Sequence, residues 1–347
     1  MDQLTSGTTE WVALLGDRTR TGGLGLKRAP EPGGIRWRLR LDKSVRSSPV
    51  LSGDLLYVTC LDGFLHAIDT TTGRHAWKFD AGAPIHCTPS LAGDKVLFGC
   101  DGGTVRALEG KSGRKIWELA AGAEVWASPV VQGGKGFFGS ADGNFYCVDL
   151  ATGNREWVRT VGARIYSTAY VTSGRVCFGC SDKRVYCLET RSGNVLWSTA
   201  TGNAIDSSPA VVGDTVVVGS EDFSVYALDA ASGRVRWKFK TGLGISSSPA
   251  IGGGTVYIGS KDHFFYALDV ATGKLRWKVN LMGSITATPV LGEGVVCLQA
   301  GGTVALDIST GKSLWRAFLG RSLQSAPVLT GSRIYLTGFQ GIVYALE

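Results

Sequence analysis

Short apolar runs, separated by clusters rich in glycine and aspartate, fill the chain from about residue 34 onward. Residues 246–280 show the unit plainly: SSSPAI, TVYIGS, FFYALD and KLRWKVN are divided by GGG, SKDH and VATG. β-Branched and aromatic runs between turn residues predict four short strands. The inner runs are apolar almost throughout instead of alternating, as expected of sheets covered on both faces. No 3.6-residue period and no heptad is present, which excludes stacked helical pairs and coiled coils.

The unit recurs. Trp37, Trp77, Trp117, Trp157, Trp197, Trp237, Trp277 and Trp315 are 40 residues apart, except for a last interval of 38. Seven of them end the same pattern, from AIDTTTGRHAW at 67–77 to ALDISTGKSLW at 305–315. A small-small-Pro marker or a close variant recurs at 47 (SSPV), 87 (CTPS), 127 (ASPV), 167 (STAY), 207 (SSPA), 247 (SSPA), 287 (ATPV) and 325 (SAPV). Eight units of four strands predict an all-β, eight-bladed propeller of four-stranded antiparallel blades. Residues 345–347 (ALE) stop where a tryptophan strand is due, and GGIRWRLRL at 33–41 supplies one. The N-terminal strand is therefore expected to close the last blade, which removes an open sheet edge. The expected organisation is a lead-in segment over 1–33 and a single propeller domain over 34–347.

Composition narrows the function classes. The 49 glycines in 347 residues are about twice the ordinary frequency, so turns are many, yet glycine never recurs every third residue as in collagen. The net charge of +7 is uneven: residues 17–46 hold nine basic against three acidic groups, and the body is nearly neutral. A basic face for nucleic acid is not expected. No apolar run is long enough for a membrane helix. The start MDQLTSGTTEWVALLGDRTRTG lacks the basic and apolar regions of a secretory signal. A cytoplasmic monomer is expected, and unpaired cysteines in this number favour a reducing compartment.

The A-x-D-x-x-[ST]-G-x-x-x-W units resemble the tryptophan-docking repeat of the pyrroloquinoline quinone (PQQ)-like propellers. That superfamily includes the quinoprotein alcohol dehydrogenases and the outer-membrane assembly lipoprotein BamB. The resemblance covers residues 34–347, and EWVALLGDRTRTGGLG at 10–25 resembles the W-x-x-x-x-G-D-x-x-x-T-G lead-in of many bacterial members. It implies fold more than activity. A quinoprotein dehydrogenase would, by this resemblance, carry long insertions, a disulfide between adjacent cysteines and a calcium held by Glu, Asn and Asp. No two cysteines are adjacent here, and the spacing leaves no insertion. PQQ, other cofactors and metals are not expected. BamB-like members are lipoproteins, whereas this chain shows neither an export signal nor a lipid-accepting cysteine near its start.

Most polar residues of the repeat read as structural. The ladder tryptophans are expected to stack between blades. The glycine four places earlier permits a positive φ, and Asp69, Asp149, Asp229, Asp269 and Asp307 are expected to accept hydrogen bonds from that turn. Asp62, Asp142, Asp182, Asp222 and Asp262 recur in a second turn and read the same way. Cys60, Cys100 and Cys180 share one repeat position, and Cys147 and Cys187 share another, as small fillers. Cys177 and Cys180 form a CxxC within a strand, where residues three apart face opposite ways and cannot grip one metal. His75 and His66 read as surface or packing residues, and His263 is a loop residue without an assigned role.

One repeat position is variable. Before each small-small-Pro marker stand Arg46, His86, Trp126, Tyr166, Asp206, Ser246, Thr286 and Gln324. This crossover to the innermost strand is expected at the mouth of the central channel. Chemistry is concentrated in the first five blades, where Glu124 and Arg164, two positions upstream, add charge. Trp126 can offer a stacking face. The leading expectation is a binding or interaction module for a small molecule or a peptide or protein at this mouth. The alternative is a cofactor-independent acid/base enzyme of lyase, isomerase or cyclase type. In it His86 is base or acid, Tyr166 and Asp206 are proton partners, Arg46 is an anion clamp and Trp126 is a wall. A quinoprotein dehydrogenase comes third.

Overall fold

The computed structural model describes residues 34–172, 174–317, 325–330, 333–338 and 340–347. The lead-in over 1–33 and Gln324 lie outside the described residues. The described residues form strands and no helix, arranged as eight four-stranded antiparallel sheets. Strand β1 (Ile35–Arg40) belongs to the last blade. Blade 1 is β2 (Val50–Ser52), β3 (Leu55–Thr59), β4 (Phe64–Asp69) and β5 (His75–Asp80), hydrogen-bonded in that order. The short first strands of neighbouring blades touch one another, so they surround the axis. The two middle strands are buried on both faces, as their unbroken apolar sequence requires, while the outer strand alternates between exposed and half-buried.

Blade 8 closes the ring. β1 pairs antiparallel with Ile342–Leu346, in the register Arg38↔Tyr344 and Arg40↔Ile342, and Ile334–Thr337 and Val328–Leu329 complete the sheet. The N-terminal strand thus takes the outer position, as the sequence predicts.

Blades are joined by the tryptophan ladder. Trp37 Nε1 donates to the Thr70 carbonyl at 2.8 Å, and the same bond recurs from Trp77 to Gly110 and onward to Trp237 and Val270. The ring lies on the next blade's turn glycine: a Cβ on Gly73 would sit 2.7 Å from Trp37. Gly73 also has φ +69°, so glycine is required twice over. Asp69 Oδ1 accepts from the Thr71 and Thr72 N–H groups, which confirms its structural role.

The small-small-Pro marker has two separate tasks. Its first residue ties the inner strand to the second strand of its own blade, as Ser167 Oγ does to the Gly179 carbonyl at 2.8 Å. Its second residue forms a belt around the channel. Ser48 N–H donates to Thr88 Oγ1, Thr88 N–H to Ser128 Oγ, and the chain continues through Thr168, Ser208 and Ser248. Ala326 N–H donates to Ser48 Oγ and carries the belt across the closure.

Candidate functional site at the channel mouth

The crossover backbone holds each variable side chain between two buried neighbours. Ile165 is fully buried over Gly139, where a Cβ would come within 2.2 Å of it, and Ser167 is fully buried by its bonds to Gly179. Side chains alternate along extended backbone, so Tyr166 faces away from both anchors into the mouth. Val125 over Gly99 and Ile205 over Gly179 repeat the arrangement beneath Trp126 and Asp206.

Three of the variable residues form one aromatic stack. His86 and Trp126 have ring centroids 4.6 Å apart at 26°, and Trp126 and Tyr166 are 4.9 Å apart at 24°. Trp126 is therefore covered on both faces and presents its edge, with 37% of its surface exposed. This corrects the expectation of an open stacking wall. Arg164 donates to the Tyr166 hydroxyl at 3.2 Å and holds the far end of the stack. Arg46 and Glu124 are exposed beside this sector.

The stack is fixed by a residue absent from the sequence expectation. Asp101 Oδ1 accepts from Trp126 Nε1 at 2.7 Å, and its Oδ2 lies 3.3 Å from His86 Nε2. Asp101 belongs to a second variable column, Leu61, Asp101, Ala141, Ser181, Glu221 and Lys261. Each member's N–H bonds a carbonyl of a crossover segment, as Asp101 does to Pro84 and Glu221 to Ala204. Variation along that column was the signal available in the sequence. Burial lowers the His86 pKa and outweighs the opposing Asp101 carboxylate, with the positive charge of Arg46 adding to the lowering.

The expected grouping of His86 with Tyr166 and Asp206 is not what the geometry gives. Trp126 stands between His86 and Tyr166, and the carboxylate at His86 is Asp101. Asp206 belongs to a separate acidic sector. Burial and the neighbouring charge of Glu221 raise its pKa, with Lys261 opposing, and Lys261 pairs with Glu221 at 2.6 Å. Ser246 and Thr286 are half-buried and continue the ring as small polar groups. The described residues at the mouth do not fit the calcium set that the dehydrogenase resemblance implies: Lys261 already neutralises Glu221, and neither face of Trp126 is open to a planar quinone.

The family described as outer membrane protein assembly factor BamB matches this chain over residues 26–169 and 162–347. The chain belongs to that family. No curated protein matches it significantly. Among solved structures, BamB from Moraxella catarrhalis is 19% identical, covers 90% of this chain and 99% of its own, and superposes with a TM-score of 0.78. The computationally designed Ika8 protein is 19% identical over 88% of this chain and 97% of its own, with a TM-score of 0.79. Quinohemoprotein alcohol dehydrogenase from Comamonas testosteroni is 15% identical over 99% of this chain and 81% of its own, with a TM-score of 0.82. At these identities the likeness establishes the propeller fold.

Proposed function

We propose that this BamB-family propeller is a binding module that holds a small molecule or a peptide loop of a protein partner at its channel mouth, without PQQ. The observation that carries the reading is the stack of His86, Trp126 and Tyr166, pinned by Asp101 and Arg164. Side chains locked before binding lose little freedom on complex formation, which favours recognition. Among the described residues, the half of the ring with Ser246 and Thr286 shows no comparable anchors. We further propose a cytoplasmic, monomeric protein, a placement favoured by eight buried free thiols.

The test is capture from a cell extract followed by mass spectrometry of what is retained. Wild-type protein and a Ser246→Ala variant are expected to retain the same species, and Trp126→Ala and Asp101→Ala to lose it. Equal capture by all four proteins overturns the assignment of the mouth.

A second reading rests on one contact, the 3.3 Å approach of Asp101 to His86. A carboxylate beside a neutral imidazole is the arrangement of a general base. On this reading Arg46 anchors an anionic substrate and His86 moves the proton. Turnover that survives His86→Ala would remove it.

A further inference from the structure

Blade 1 departs from blades 3 to 6 at a turn outside the aromatic stack. In blades 3 to 6, Asp142, Asp182, Asp222 and Asp262 each accept a hydrogen bond from the hydroxyl of Tyr146, Tyr186, Tyr226 or Tyr266, with O···O distances of 2.5 to 2.6 Å. Two positions before the aspartate stands a serine or cysteine, and Ser140 Oγ accepts the Asp142 N–H. In blade 1 these three positions are Cys60, Asp62 and His66. The imidazole replaces the phenol and brings its Nε2 to 3.1 Å from Asp62 Oδ2. The sulfur, a carboxylate oxygen and a ring nitrogen all lie within 4.8 Å of one another. The His66 and Asp62 side chains are each 5% exposed, and Cys60 is fully buried.

A second histidine stands behind the first. His66 Nδ1 is 2.9 Å from His75 Nε2, which fixes the ring with Nε2 turned toward Asp62. Ionised carboxylates only accept, so a proton or a cation must lie between Asp62 and His66 Nε2. A metal-bound histidine characteristically donates its other N–H to a neighbouring acceptor, and His75 is placed to be that acceptor.

We propose that Cys60, Asp62 and His66 form a site for a single divalent ion of the zinc class, with His75 as the positioning residue behind His66. Thiolate and imidazole select zinc or cobalt over calcium and magnesium, and bonds of roughly 2.0 to 2.3 Å require only a modest closing of the three donors. A water or a nearby carbonyl completes the tetrahedron; Lys43 O and Ser44 O already lie 3.3 and 3.5 Å from the Cys60 sulfur. Proton accounting is simple when both histidines start neutral. Cys60 loses its thiol proton to solvent, and the Nε2 proton of His66 leaves as the metal bond forms. His66 takes the proton of His75 Nε2 onto Nδ1, and His75 regains one at Nδ1 from solvent. One proton is released per ion, and nothing is oxidised or reduced.

Blade 4 is an internal control, because Cys180 and Asp182 keep the thiol and the carboxylate but face Tyr186 instead of histidine. Full-length protein freed of metal with a chelator is titrated with cobalt(II) and then zinc(II). The expected result is one cobalt per chain, a thiolate-to-cobalt charge-transfer band, tetrahedral visible bands, and displacement by zinc. His66→Tyr installs the residue of blades 3 to 6 and Cys60→Ser the residue of blades 3, 5 and 6. Each is expected to fold and to lose the charge-transfer band, while Cys180→Ser retains it. Absence of the band at several-fold excess of cobalt overturns the proposal. So does its survival in His66→Tyr or in Cys60→Ser.

Discussion

Asp101 joins two rings at once: one carboxylate oxygen accepts from the Trp126 indole at 2.7 Å while the other faces His86 Nε2 at 3.3 Å. A single side chain from the turn of one blade therefore sets the tilt of two aromatic groups on the two blades' crossovers. The His86 and Trp126 end of the stack is thus held from another column of the repeat, while its Tyr166 end is held by Arg164 of the same crossover.

Asp101→Ala is expected to release both rings. Near-ultraviolet circular dichroism from the stacked His86, Trp126 and Tyr166 should fall sharply. The cost to stability should be no more than about 1 to 2 kcal/mol, the range for a lost partly buried hydrogen bond. An unchanged near-ultraviolet spectrum would show that Asp101 does not hold the stack.

Asp206 predicts a pH dependence. Its folded pKa is raised above the ordinary 3.8 by burial and by Glu221, so its ionised form is penalised in the native state. Its stabilising contribution is present below that ordinary value and is lost as pH rises through the raised one. Asp206→Asn should therefore melt higher than wild type at neutral pH, with the gap closing as acid is added. A variant that melts lower at pH 7 contradicts the assignment.

His86 acts in the opposite direction. Its folded pKa lies below the ordinary 6.5, so the stability linked to the neutral ring is present above 6.5 and is lost as pH falls through the folded value. His86→Gln should flatten that part of the wild-type melting profile, and an identical profile in the variant would rule out the link.

The ladder should behave unlike the mouth. Trp197→Ala removes a buried ring that donates to the Ala230 carbonyl, and should destabilise by about 3 to 5 kcal/mol in denaturant unfolding. Gly73→Ala should be nearly as damaging for its size, because the added methyl meets Trp37 at a positive φ. Mild effects from both would mean that the blades are held by something else.

Deleting residues 1–42 removes β1 and exposes the Ile342–Leu346 edge. Light scattering should then show association, and melting should drop. Unchanged melting would disprove the closure.

The blade count, the ladder and the closing strand were legible because each is dictated by spacing that repeats across the chain. The small-small-Pro marker was visible without its reason, since the belt from Ser48 to Thr88 joins residues that share a repeat position and meet only in the ring. The ring from Arg46 to Thr286 could be found because its position varies from blade to blade between two neighbours that stay small or aliphatic. Asp101, Glu221 and Lys261 were not found because they sit beside the structural turn aspartates and reach the mouth only through pairing with crossover carbonyls. Cys60, Asp62 and His66 lie within seven residues, but each occupies a repeat position that reads as structural, as a small filler, a turn aspartate and a packing residue, and the turn between β3 and β4 brings their donor atoms together.

The pairing of Arg38 with Tyr344 also orders events in time. A ribosome makes β1 before the seven blades that separate it from its partner strand, so β1 waits through their synthesis with its hydrogen-bonding edge unmet. Loop closure over that separation is slow compared with hairpin formation within any one blade. The nascent chain is therefore an open arc before it is a ring. During that interval both ends of the arc are sticky edges, and its protection from neighbouring chains depends on how quickly the last blade arrives.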